Sequence, residues 1–208
     1  MGLRTSTTTK LLDAADELFF SRGVAATPID AVLERAGVSA ATMYRGFPGK
    51  DALVAAALDR RHDDWLAVWH DAVTAAPTTR AALLSVFDAL DAFRARPEGA
   101  RWCAFLGTAA EYAEPPSAIA EALHRETRTY LERLTGLARA AGARDPEALA
   151  RQLLLVVSGD LAMRLRDPQA TSRTARDIAG VLVEGATRGT QHAERQHEDS
   201  TSSGGLRS

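Results

Sequence analysis

The 208 residues are 46% hydrophobic and carry a net charge of −2, so no global positive field marks the chain for nucleic acid and any such binding must be local. A single cysteine, Cys103, excludes an intramolecular disulfide and a cysteine-built zinc cluster. No apolar run approaches the roughly 20 residues of a membrane span, and the polar start MGLRTSTTTK is unlike a signal peptide, so the expected setting is soluble and cytoplasmic.

Alanine and leucine dominate, β-branched and aromatic residues are sparse, and no stretch alternates with period two, so an all-α fold is expected. Leu11, Leu12, Ala15, Leu18 and Phe19 fall at helical spacing, with Gly23 as the stop. Arg4 and Lys10 precede this core stripe in an arm without acids. Thr27 before Pro28 reads as an N-cap and first helical residue, opening a short helix to Arg35. A turn at Ala36-Gly37-Val38 follows, Ser39 caps another short helix, and Pro48-Gly49 ends it. Neither short helix is stable alone, so the two must brace each other.

Long helices follow. The spacing predicts one from Lys50 to Thr74, a second carrying Leu83, Val86, Phe87, Leu90 and Phe93, and a third around Trp102, Phe105 and Tyr112. Pro115-Pro116 opens a helix ending near Gly142, Asp145-Pro146 opens the next, and Asp167-Pro168 separates it from a last helix to about Gly189. The expected organisation is a helix-turn-helix domain over 1–50, a larger helical domain over 51–190, and a polar, disordered tail over 191–208.

The segment RAGVSAATMYRGFPGKDAL has the outline of a helix-turn-helix. Gly37 suits the turn, and Val38, Phe47, Ile29 and Val32 would hold the helices crossed. Ala40, Ala41, Thr42 and Arg45 are then left outward, two of them slim and two able to hydrogen-bond bases or phosphates. Tyr44 can donate to phosphate, Lys50 sits at the positive end of a helix dipole, and Thr27 stands at a helix start likewise. A short helix–glycine–helix is also a common structural device. Charge does not decide between the two, since residues 1–50 carry six basic and five acidic side chains, a balance of +1.

The run LLDAADELFFSRGVAATPIDAVLERAGVSAATMYRGFPGKDAL closely resembles the DNA-binding domain of the TetR family of bacterial transcriptional regulators. The matching elements are the Ala-Ala…Leu-Phe pair, Gly23, Thr27, Ala36-Gly37-Val38-Ser39, Thr42-Met43-Tyr44, Phe47 and Lys50-Asp51…Leu53. The resemblance implies a helical homodimer whose variable C-terminal part holds a small-molecule pocket, with ligand binding releasing the operator DNA. It implies phosphate contacts from Thr27, Tyr44 and Lys50, and base or groove contacts from Ala40, Ala41, Thr42 and Arg45. Ala31, Leu33 and Gly46 depart from residues common in the family, an acid, an alanine and a histidine.

An effector pocket between helices should be mostly apolar. The expected ligand-binding residues are Trp65, Trp69, Phe87, Trp102, Phe105 and Tyr112, with plain core as the competing reading of each. The run LARQLLLVVSGDLAMRL is apolar on more than one side, so it needs a partner beyond its own core. With the last helix it suggests a four-helix dimer interface built on Leu153, Val156, Val157, Ile178, Val181 and Leu182. Cys103 reads as a small hydrophobe rather than a redox sensor, and the histidines and carboxylates form neither a metal site nor a catalytic constellation. No cofactor or metal is expected. The leading reading is a ligand-responsive regulator, most simply a repressor. A small helical enzyme acting on an apolar substrate and a protein-only interaction module are the alternatives.

Overall fold

Why the chain folds as it does is visible from its first helix. In a computed structural model describing residues 3–96 and 103–188, α1 (Thr5–Arg22) buries Leu11, Ala14, Ala15, Leu18 and Phe19 on one stripe. Its first turns include Lys10, with Arg4 as the residue before the helix, so the expected arm is helical from Thr5 onward. The helix stops at Gly23, whose φ of 97° no Cβ-bearing residue adopts without cost.

α2 (Ile29–Ala36) and α3 (Ala40–Met43) are the two short helices. Gly37 closes α2 in the left-handed conformation, φ 64° and ψ 37°, and Val38 N–H then donates to Leu33 O at 3.0 Å. Ser39 caps α3, its Oγ accepting from Thr42 N–H at 3.2 Å. The cap expected at Thr27 is not made. Pro28 occupies the N-cap position, and the Thr27 hydroxyl turns inward, donating to Gly23 O at 2.7 Å.

Five longer helices and one short one complete the described residues: α4 (Lys50–Thr74), α5 (Thr79–Arg94), α6 (Ala104–Glu111), α7 (Ser117–Ala140), α8 (Pro146–Met163) and α9 (Arg173–Thr187). Thr78 and Asp145 cap α5 and α8 as N-cap side chains, accepting from Ala81 N–H at 3.1 Å and Ala148 N–H at 2.9 Å. No strand occurs among the described residues, and no helix among them is long and apolar enough to cross a membrane. The disordered tail expected over 191–208 lies outside the described residues.

Two hydrophobic cores form. The first joins α1, α2 and α3 to Leu53, Val54, Ala57 and Leu58 of α4, and draws in Ala104 of α6 with Ile119 and Ala122 of α7. The second packs the rest of α4 against α5, α7, α8 and α9 around Trp69, Phe87, Leu134 and Leu153. α4 therefore belongs to both. Residue 50, where the domains were expected to divide, is the first residue of this shared helix.

Candidate functional site

α3 is too short to hold itself, and its geometry comes from what surrounds it. Met43 is buried against the first core and anchors the inner face, which turns Ala40, Ala41, Tyr44 and Arg45 to solvent. Tyr44 is 54% exposed, a large value for an aromatic side chain. Thr42 and Arg45 are joined, the guanidinium donating to Thr42 Oγ1 at 3.0 Å, while Ser39 Oγ lies 2.9 Å from the same oxygen. Gly46 admits the Leu3 side chain so closely that a Cβ there would come within 2.4 Å of Leu3 Cδ1.

Lys50 begins α4 with its Nζ donating to Val24 O at 2.6 Å and lying 5.7 Å from the centre of the Phe19 ring. Partial burial lowers its pKa, against the pull of Asp51 and Glu111. A cation at a helix N-terminus opposes the dipole, and an arriving anion relieves both. Thr27 differs from the others. It is 1% exposed and its hydroxyl proton is already spent on Gly23 O, so its side chain offers no donor to solvent.

In the second half, a cavity of about 70 Å³ opens between α4, α5, α6, α7 and α8. Trp65, Phe93, Phe105 and Tyr130 form much of its wall, joined by Arg61, Glu126 and Arg164. A neighbouring cleft of about 170 Å³ shares Cys103, Phe105, Glu126, Tyr130 and Leu161 with it. Trp65 stacks on Tyr130 with ring centres 5.8 Å apart and meets Phe93 edge-on at 5.7 Å. Arg61 is held by both Asp16 oxygens at 3.1 Å, and Arg164 by Asp91 and Asp160 at 3.0 Å each. Burial pushes the Glu126 carboxyl up to about 7 and the Cys103 thiol up to about 11, which keeps the thiol protonated and unreactive.

The comparisons with known proteins agree with this arrangement. Residues 11–57 match the family model for bacterial regulatory proteins of the tetR family. A TetR-family transcriptional regulator from Streptomyces coelicolor is similar in structure with a TM-score of 0.74 and 28% identity, over 89% of this chain and 96% of that one. Residues 11–57 thus carry the N-terminal domain of tetR-family regulators, and the chain as a whole shares their fold. TetR-family regulators from Cytophaga hutchinsonii and Legionella pneumophila share the fold at 19% identity each, with TM-scores of 0.75 and 0.71. Each match covers 90% of this chain, and 98% and 100% of the respective relatives. Among curated proteins none matches.

The two halves of the chain are joined through α6. Cys103, Ala104 and Phe105, where α6 begins, stand at the cavity. At its far end the Glu111 carboxylate accepts from Val24 N–H at 2.9 Å and from Ala25 N–H, in the turn between α1 and α2. A helix of eight residues thus spans from the cavity to the DNA-binding domain.

Of the six residues expected at the ligand site, Trp65 and Phe105 line the cavity. Trp69 and Phe87 lie wholly inside the second core, Tyr112 packs against the first, and Trp102 lies outside the described residues. Aromatic spacing marks the buried stripe of a helix without telling core from cavity. Glu126, Tyr130 and Arg164 were missed. A signal existed on α7, where Ile119, Ala122, Tyr130 and Leu134 are buried at helical spacing and Glu126 falls on the same stripe. A carboxyl at such a position needs a reason.

The faces of α8 and α9 divide. Leu153 and Val157 point into the chain's own core, Val156 and Leu182 are half-buried against it, and Ile178 and Val181 are 51% and 65% exposed. Leu155, outside the expected set, is 74% exposed. The apolar excess of α8 is thus largely absorbed within the chain, and the exposed part lies at Leu155 and Met163 of α8 and at Ile178 and Val181 of α9.

Proposed function

We propose that this TetR-family transcriptional regulator is a cytoplasmic repressor that binds operator DNA as a homodimer and leaves it when a small apolar or aromatic effector enters the α4–α8 cavity. The observation that carries the reading is the α3 surface. A capped, braced helix turns slim alanines outward beside an exposed tyrosine and an Arg45–Thr42 pair, and Lys50 opens the helix that follows. In this reading Ala40, Ala41, Thr42 and Arg45 enter the major groove, and Tyr44 and Lys50 contact phosphate. Thr27 acts there only by bracing the α1–α2 turn. The domain division is functional as well as structural, with residues 1–50 reading DNA and 51–190 holding effector and partner. The chain is a binding protein and not an enzyme.

Exposed Leu155, Ile178 and Val181 support a two-fold interface of α8 and α9, where small Gly159 and Gly180 let the helices approach. Effector release then works as a population shift. The effector binds better to a conformation whose α3 helices are mis-spaced for the operator, and α4 and α6 carry the change between the halves.

Selection of bound genomic fragments by the purified chain tests the reading. Retained fragments should include the DNA upstream of its own gene, and affinity should fall steeply with salt as counterions are released. Sedimentation should show a dimer that Val181→Asp with Ile178→Asp converts to a monomer. A folded dimer that retains no fragment, or whose DNA binding ignores salt, would overturn the regulator reading.

A further inference from the structure

We infer that the α4–α8 cavity takes a small organic cation with an aromatic or apolar body, recognised by the Glu126 carboxylate and the surrounding aromatic rings. The inference rests on the reading of this cavity as the effector site and adds the charge of the effector.

The argument begins with an inventory of charge. Three guanidiniums line the cavity, and an anionic ligand would seem the natural fit. Two of them are already matched. Arg61 is held by both oxygens of Asp16, and Arg164 faces two carboxylates, Asp91 and Asp160, as well as Ser172 Oγ and Leu90 O. Arg94 donates to Ala170 O at 2.8 Å. Since Asp91 and Asp160 exceed Arg164 by one charge, this end of the cavity holds no surplus of positive charge for an anion.

Glu126 has no such match. Its only hydrogen bond among the described residues is a long one, 3.3 Å, from Thr127 Oγ1, whose hydroxyl also lies 3.2 Å from Leu123 O. Among the described residues no cation pairs with it, although it faces both the cavity and the adjoining cleft. Its carboxyl is accordingly pushed toward neutral pH by desolvation. A cationic ligand supplies the missing counter-charge where water is largely excluded, and the ionised carboxylate then gains a partner rather than a penalty.

The rings favour the same sign. Aromatic faces carry negative potential and attract cations, and one cation is already seated this way, with the Arg61 guanidinium 5.2 Å from the centre of Phe93. Trp65, Phe105 and Tyr130 extend that surface along the Glu126 side. Among the described residues, buried Trp65 Nε1 and Arg164 Nε have no acceptor, which leaves donors for an oxygen or ring face of the ligand. The two neighbouring spaces, about 70 and 170 Å³, lie below the roughly 300–1,000 Å³ of drug-sized pockets and suit a compact molecule.

Calorimetry on the full chain with three probes of one shape tests this: benzylamine, charged at pH 8, neutral benzyl alcohol, and anionic benzoate. Benzylammonium should bind at least about tenfold tighter than the alcohol, with benzoate weakest, and Glu126→Gln should erase the preference. Benzoate binding most tightly, a preference that survives Glu126→Gln, or no binding of any probe overturns the inference. Should Glu126→Gln fail to fold, the wild-type chain at pH 6 and pH 8 decides, because affinity for benzylammonium must rise as Glu126 ionises. The other groups facing it do not mimic this. Cys103 and Tyr130 titrate far higher, and His62, edge-on to Phe105, is held below its ordinary range. Genomic-fragment retention on the same preparation separates the two failures. Retained DNA without cation preference sinks only the ligand class, whereas cation binding without DNA retention sinks the regulator reading.

Discussion

The two cores of this protein are made from the same helix-forming composition and differ in how they treat polar groups. In the first, the buried polar residue is Thr27, and its hydroxyl is satisfied at Gly23 O. In the second, Ser85, Arg164 and Ser172 are buried, and Arg61, His62 and Thr108 are buried where the two cores meet, Arg61 on Asp16 and His62 against Phe105. Among the described residues, every buried side-chain nitrogen or oxygen without a partner belongs to a residue between His62 and Arg164. The difference separates two tasks. A reading head must hold α3 in one place, so its interior is apolar and settled. A site that answers a ligand needs polar groups whose partners arrive later, and it accepts the cost of carrying them unsatisfied.

The largest test of this contrast is Arg164→Met. It leaves Asp91 and Asp160 facing each other with Ser172 and no cation, and should cost about 3–5 kcal/mol in denaturant unfolding. A loss under 1 kcal/mol would show the network to be poorly formed.

Next in size is a pH effect confined to the second core. Glu126 has its folded-state pKa raised from 4.5 to about 7. The folded state therefore holds a proton that the unfolded chain has lost between those values, and stability falls as pH rises through the window and levels above it. The difference between wild type and Glu126→Gln should move by roughly 2–3 kcal/mol between pH 4.5 and pH 8. Taking the difference removes the opposite contribution of His62, whose depressed pKa makes stability rise with pH below its ordinary 6.5.

On the reading head, Arg45→Ala should weaken operator binding by about 1–3 kcal/mol in gel shifts while changing the unfolding midpoint little. Equal losses in binding and stability would mean that Arg45 supports α3 rather than contacting DNA. Smallest is Gly37→Ala. A Cβ there meets nothing within 4 Å, so only the φ of 64° is strained, and the cost should be about 1 kcal/mol.

The reading head was the more legible half. Gly23, Gly37, Ser39 and Pro48-Gly49 announce each break locally, because caps and left-handed turns are decided within a few residues. The reading failed where a side chain had two local options. Thr27 beside Pro28 looks like a cap, yet its hydroxyl reaches back to the end of α1. In the second half the helices were again legible from their prolines, down to the start of α4 at Lys50 and its end at Thr74. The cavity was not, because Trp65 and Trp69 have the same spacing signature and differ only in what α5, α6 and α7 place against them.

By itself the sequence determined the all-helical class, the helix breaks and the helix-turn-helix, since these follow from propensity, periodicity and turn chemistry within one segment. Tertiary structure alone decided which aromatic rings line a cavity, which apolar faces of α8 and α9 stay exposed, and that Glu126 faces the cavity with no counter-charge among the described residues. It also joined Glu111 to the amides of Val24 and Ala25, residues 86 and 87 positions away. Such facts depend on pairs brought together from distant segments, and no local pattern encodes the meeting.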